Sequence, residues 1–138
     1  MARRSKTYVE LEGQDGIRRA FARLELGALV RVRGQIQVSA EKIEAGAKAR
    51  CPVSDPATKG ADAPPSGTTR ESIRTIYRDG GLAASIGSGW FVARFIEQGV
   101  NGRPATPFLN PAFQEERPNY LTGVEAALNT AGREASTA

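Results

Sequence analysis

The chain predicts an α+β fold, a small, mainly antiparallel sheet packed by one long helix and one C-terminal helix. Three observations lead there. Leu29, Val32, Ile36, Ala40, Ile43 and Ala47 step by three or four residues across about 26–50, the spacing of one helix face. Two alternating runs, Ile73/Thr75/Tyr77 and Leu82/Ala84/Ile86, flank Asp79-Gly80-Gly81, residues that suit the positive φ of a tight turn, so a hairpin is predicted at about 70–87. A second helical pattern, Phe113, Leu121, Val124, Ala127, Leu128 and Ala131, closes the sequence over about 111–131. At 138 residues, a single domain over 1–138 is expected, with room for one core.

Arg3, Arg4 and Lys6 form a short basic arm, read as a frayed terminus over 1–6 in preference to a phosphate-binding arm. Thr7 to Glu12 alternates as a strand does, with Val9 and Leu11 on one side. Gly13 and Gly16 frame a turn, and Asp15 caps an expected helix to Leu24 that turns Ile17, Ala20, Phe21 and Leu24 inward. In the long helix, Gly27, Gly34 and Gly46 each cost up to about 1 kcal/mol relative to alanine, so it needs a partner to pack on. Its other side, with Arg31, Arg33, Glu41, Lys42, Glu44 and Lys48, is a solvated face. Pro52 stops the helix. From 52 to 69, proline, glycine, serine and alanine take over, and this stretch reads as a long flexible loop. Asp55 and Asp62 within it lack the close ligand spacing of a calcium loop.

The stretch from Trp90 to Phe113 holds the only tryptophan and four of the five phenylalanines, the side chains that bury most area. Phe91 and Phe95, with Val92 and Ile96 beside them, give a short helix a broad apolar face. Gly99 sits where a left-handed cap belongs, and Gly102 and Pro104 prevent a second helix from following at once. Pro107 holds Thr106 extended, so Phe108 and Leu109 are placed to plug a core. Asn110 before Pro111 is a helix start, the amide capping orphan N–H groups. Pro118 takes a backbone hydrogen bond from residue 114, and a kink or break is expected there. Residues 133–138 are expected to fray.

The composition narrows the chemistry. Histidine is absent, which removes the common triads, the usual zinc sites and the neutral-pH proton shuttle. The single cysteine, Cys51, allows no internal disulfide and suits a reducing compartment; with no histidine to activate it, it reads as a small buried hydrophobe. Gly87-Ser88-Gly89 follows a strand and precedes a helix, but the third glycine of a dinucleotide fingerprint is missing and the strands are hairpin-linked. No metal or cofactor is expected. No apolar run reaches the length of a membrane span, and no signal-peptide stretch opens the chain. A formal charge of +4 permits nucleic-acid contact without demanding it.

Glu97-Gln98-Gly99, followed by Arg103-Pro104-Ala105-Thr106-Pro107-Phe108-Leu109-Asn110-Pro111-Ala112, resembles the E-x-G … P-x-x-P-F-L-x-P-A signature of a phage family. This is the neck, or tail-completion, family of long-tailed double-stranded DNA phages, also described as head–tail joining or minor tail components. Upstream, Cys51-Pro52-Val53, then Ser66-Gly67 with Arg70, Ser72 and Ile73, resemble the family's A-P-V … T-G-x-L-R-x-S-I segment, and Ile86-Gly87 its V-G strand end. The resemblance spans roughly residues 9 to 131. Ser66 and Thr69 depart from it, standing where the family usually has threonine and leucine, and the loop before them is unusually long.

The resemblance implies a structural virion protein without catalysis. It implies a ring, sixfold by match to a tail, that joins the DNA-filled head connector to the tail after assembly in the host cytoplasm. Partners would be neighbouring head-completion or adaptor proteins and tail-tube or tail-terminator proteins. Viral DNA would pass through the lumen without sequence-specific binding, and no membrane is involved. Pro52, Gly67, Ser72, Gly87, Glu97, Gly99, Pro104, Pro107, Phe108, Leu109 and Pro111 carry the family pattern. Arg70, Arg74, Arg78 and Trp90 are candidate inter-subunit contacts, with the hairpin sheet and the 52–69 loop. Glu97 has two readings: an i, i+3 ion pair with Arg94, or an anchor for the loop that follows, which the resemblance favours. The alternative function is a small basic nucleic-acid-binding module.

Overall fold

A computed structural model describes residues 7–11, 26–54 and 63–137. Three strands form one antiparallel sheet, packed against a long helix and a C-terminal helix. The elements in chain order are β1 (Thr7–Leu11), α1 (Leu26–Arg50), α2 (Thr68–Ser72), β2 (Ile73–Arg78), β3 (Ala83–Ser88), α3 (Phe91–Gln98) and α4 (Leu109–Thr137). The helix expected between residues 15 and 24 lies outside the described residues, as do residues 55–62 of the expected flexible loop.

The sheet order is β1-β3-β2. Thr7 to Leu11 run opposite Ser88 to Ala84, and Ile73 to Arg78 run opposite Ser88 to Ala83. The hairpin turn uses Asp79, Gly80 and Gly81 at φ of 53°, 65° and 92°, the left-handed region that the Asp-Gly-Gly sequence tolerates. Leu82 belongs to that turn, its N–H donating to the Asp79 carbonyl, so the strand starts at Ala83 and not at Leu82.

The expected alternation holds only in part. All six residues of β3 are buried, because the strand is central and both of its faces are covered. One face, with Ala84 and Ile86, joins Leu11, Ile73 and the α1 stripe in the core. The other carries only small residues, Ala83, Ser85 and Gly87, beneath the long side chains of the flanking strands. The Arg78 guanidinium reaches Glu10 at 3.6 Å across that face. Any side chain at Gly87 would overlap the Thr7 carbonyl and Tyr8, so β1 seats only on glycine there. On β2, Ile73 is buried and Thr75 half-buried, but Tyr77 is exposed at the turn end.

The α1 stripe packs as its spacing predicts. Val32, Ile36, Ala40, Ile43 and Ala47 are fully buried and Leu29 is half-buried. Its principal partner is α4, which runs antiparallel to it: Gly46 lies against Ala112, Ser39 against Glu116 and Gln35 against Gly123. The α4 expectations need correction at four points. The helix starts at Leu109, before Asn110, because the cap comes from another element. It passes Pro118 without a break and runs to Thr137, past the expected end near Gly132. Leu121 is 54% exposed, and Phe113 is only half-buried. The buried side instead follows Leu109, Ala112, Glu116 and Tyr120, so the inward stripe includes a carboxylate that pattern reading assigns to solvent.

The hairpin also begins later than residue 70. Gly67 at φ 86° starts a short helix: the Glu71 N–H donates to the Gly67 carbonyl, and Thr68 Oγ1 bonds the Pro65 carbonyl at 2.6 Å. Arg70 and Ser72 therefore belong to α2. No described helix is long and apolar enough to cross a membrane.

Candidate assembly interface

Several of the sequence pieces singled out above, far apart in the chain, meet around α3, whereas Gly87 lies against Thr7 and Tyr8 of β1. Ser72 Oγ bonds the Thr69 carbonyl and lies 2.6 Å from Ser88 Oγ, which accepts the Trp90 N–H at 3.0 Å just before α3. Arg70 is not a free surface cation: its guanidinium donates to the Cys51 carbonyl at 3.0 Å, tying α2 to the end of α1. Cys51 is buried, and burial pushes its thiol pKa up; nearby Arg70 opposes this and Glu97 adds to it. Ser66 Oγ bonds the Ser54 carbonyl at 2.7 Å and closes the base of the loop.

Glu97 holds the far end of α3 to the start of α4. One carboxylate oxygen accepts the N–H groups of Phe108 at 2.8 Å and Leu109 at 3.0 Å, and the other accepts that of Asn110 at 2.9 Å. These are orphan donors of the α4 N-terminus, where a negative charge also meets the favourable end of the helix dipole. The carboxylate does the capping that the sequence suggested for the Asn110 amide. Arg94 reaches Gln98 instead, at 3.4 Å.

The intervening loop is pinned at both ends. The Gly99 N–H closes α3 on the Phe95 carbonyl, Val100 and Arg103 bond each other, and Thr106 donates to the Ile96 carbonyl at 2.8 Å. Gly99 has φ 78° and ψ 167°, an extended positive-φ conformation and not the expected left-handed cap; a side chain there would press on Ala105. Pro104 and Pro107 are exposed, Pro111 is half-buried in the first turn of α4, and Phe108 and Leu109 are fully buried.

Among the described residues, two surfaces present exposed side chains. The first is the outward face of the sheet, where β2 presents Arg74, Ile76 and Arg78 and β1 presents Tyr8 and Glu10. Both strands are edges among the described residues. The second surrounds Trp90, half-buried before α3. Its ring centroid lies 4.9 Å from that of Phe91, which meets Phe95 edge-on at 6.2 Å. Phe91 is 53% exposed and Phe95 45%, so the aromatic part of the expected apolar face points outward, while Val92 and Ile96 are half-buried, Ile96 against the core, and only Ala93 of α3 is fully buried. Among the candidate contacts, Arg74 and Trp90 share one groove, whereas Arg78 sits at the opposite end of β2.

A polar seam lies inside the α1–α4 contact. Ser39 donates to Glu116 at 3.0 Å, Gln35 donates to Ser39, and Asn119 reaches the second Glu116 oxygen at 3.4 Å. Sequence reading passed over these residues, although Ser39 falls among the α1 stripe residues and Glu116 lies four positions from both Ala112 and Tyr120. Among the described residues, no three acidic, cysteine or histidine side chains are grouped as metal ligands.

Comparison with family models, with characterised proteins and with solved structures finds no match to this chain.

Proposed function

We propose that the chain is a structural protein of a phage neck, one subunit of a sixfold ring that joins the DNA-filled head connector to the tail. The observation that carries this reading is a sheet whose two edge strands among the described residues, β1 and β2, differ. Edge strands are templates for pairing with another chain. Like edges pair into a two-fold dimer; unlike edges pair head to tail, and such a contact closes into a ring when its rotation is right.

Charge favours the unlike pairing. A β2 edge against the β2 of a second copy brings Arg74 and Arg78 of both copies together, whereas β2 against a neighbour's β1, whose Glu10 is already paired with its own Arg78, avoids that like-charge meeting. The resemblance adds support, since Arg70, Ser72 and Glu97 of its pattern are each hydrogen-bonded near the two ends of α3. The neighbours in this reading are head-completion or adaptor proteins on one side and tail-tube or tail-terminator proteins on the other. DNA crosses the lumen without sequence-specific contact.

The test is genetic. Particles assembled without this chain should accumulate as DNA-filled heads and separate tails. Complete infectious particles forming in its absence would refute the reading. Steeply salt-dependent DNA binding by the isolated chain would favour the alternative, a small basic nucleic-acid-binding module.

A further inference from the structure

Trp90 stands between two surface grooves and lines both. On one side, a groove of about 370 Å³ is bounded by Thr68, Ser72, Arg74, Gly89 and Phe91. On the other, one of about 360 Å³ runs past Val53, Pro64, Pro65, Val92 and Ile96 to Arg103. Among their described lining residues each groove holds one cation, Arg74 or Arg103, and no carboxylate. The one carboxylate of α3, Glu97, is occupied with the backbone of residues 108–110.

We infer that this trough docks an extended, acidic and apolar peptide segment of a partner protein. An apolar side chain of the segment lies against Trp90 and Phe91, and carboxylates on either side of it meet Arg74 and Arg103. Two features select that occupant. Half-buried Trp90 and exposed Phe91 in a concave surface anchor apolar side chains, and a cation at each end, with no carboxylate among the described lining residues, selects carboxylates and repels basic segments. Two grooves meeting at one indole suit a chain laid across it better than a compact small molecule. Of the trough residues only Arg74 also lies on an edge strand proposed for the ring contact; Trp90, Phe91 and Arg103 lie outside the sheet and keep the trough when no ring forms.

Trp90 is the only tryptophan, so its emission reports on the trough directly. The full chain is titrated with three probes: a (Glu-Leu)4 octapeptide, a (Lys-Leu)4 octapeptide and a fifteen-nucleotide oligothymidylate. The acidic peptide should shift the emission saturably, the basic peptide should not, and added salt should weaken binding. Arg74→Glu with Arg103→Glu should raise the Kd about tenfold, from two rim charges reversed, with the circular dichroism spectrum unchanged. Several results overturn the inference: no saturable shift with the acidic peptide, equal response to the basic one, binding indifferent to the double charge reversal, or a response to oligothymidylate alone. An emission shift that follows protein concentration without any probe assigns the trough to a second copy and equally refutes a partner peptide.

Discussion

Replacing Glu97 by alanine is the sharpest perturbation of the hydrogen bonds around α3. The change strands three backbone N–H groups, those of Phe108, Leu109 and Asn110. Asn110 is exposed, so water can replace its lost acceptor. Phe108 and Leu109 are at most 1% exposed, and water reaches them only by opening the core. A buried donor left without a partner costs about 1–3 kcal/mol, and loss of a helix cap typically about 1 kcal/mol. These overlap, so Glu97→Ala should lose about 3 kcal/mol. For a chain of this length that is roughly a 10 °C fall in Tm. Glu97→Gln keeps one oxygen, which can still accept two of the three N–H groups, but turns an amide NH₂ toward the third. It should lose about half as much as the alanine variant. Urea unfolding followed by circular dichroism measures both. An alanine variant within about 0.5 kcal/mol of the parent, or a glutamine variant worse than alanine, would refute the anchoring role.

Phe108→Ala removes the largest fully buried side chain among the described residues and should cost about 3–5 kcal/mol, seen as a large drop in the urea midpoint, whereas Leu121→Ala on the exposed side of α4 should change it little. Gly87→Val should unseat β1, read as loss of amide-exchange protection over Tyr8 to Leu11 while α1 and α4 remain protected. Because burial raises the Cys51 pKa, its thiol stays protonated and shielded. A disulfide reagent at neutral pH should therefore react slowly with the folded chain and fully once it is unfolded. Glu116→Ala should cost about 1–3 kcal/mol by stripping Ser39 and Asn119 of their shared acceptor, and combining it with Ser39→Ala should cost less than the sum of the two.

The elements most legible in the sequence are those where one physical constraint dominates. The α1 stripe was readable because a helix buried along one side must repeat its apolar residues at helical spacing, and the turn because few sequences tolerate three successive positive φ values. Burial of Phe108 followed from the prolines around it. Where two constraints compete, the sequence misleads. The spacing of Phe91 and Phe95 gives a short helix a broad apolar face, yet nothing local says whether that face meets the domain or the outside. Leu121 fails in the same way. Glu116 fails inversely, since a carboxylate on a buried stripe is satisfied by Ser39 and Asn119, and such tertiary partners leave no mark on local periodicity. The capping role of Glu97 was legible only through the resemblance, because its acceptor geometry joins residues at least eleven positions apart.

The central claim is that unlike sheet edges build a closed ring. Native mass spectrometry with negative-stain imaging of the purified chain, alongside an Ile76→Lys variant, tests it most directly. Ile76 is 43% exposed on the outer edge strand, so a lysine there leaves the core intact while burdening any strand that tries to pair. The account predicts closed six-membered rings for the parent and folded monomers for the variant. A two-fold dimer, a monomer at every concentration, or rings that survive Ile76→Lys would contradict it.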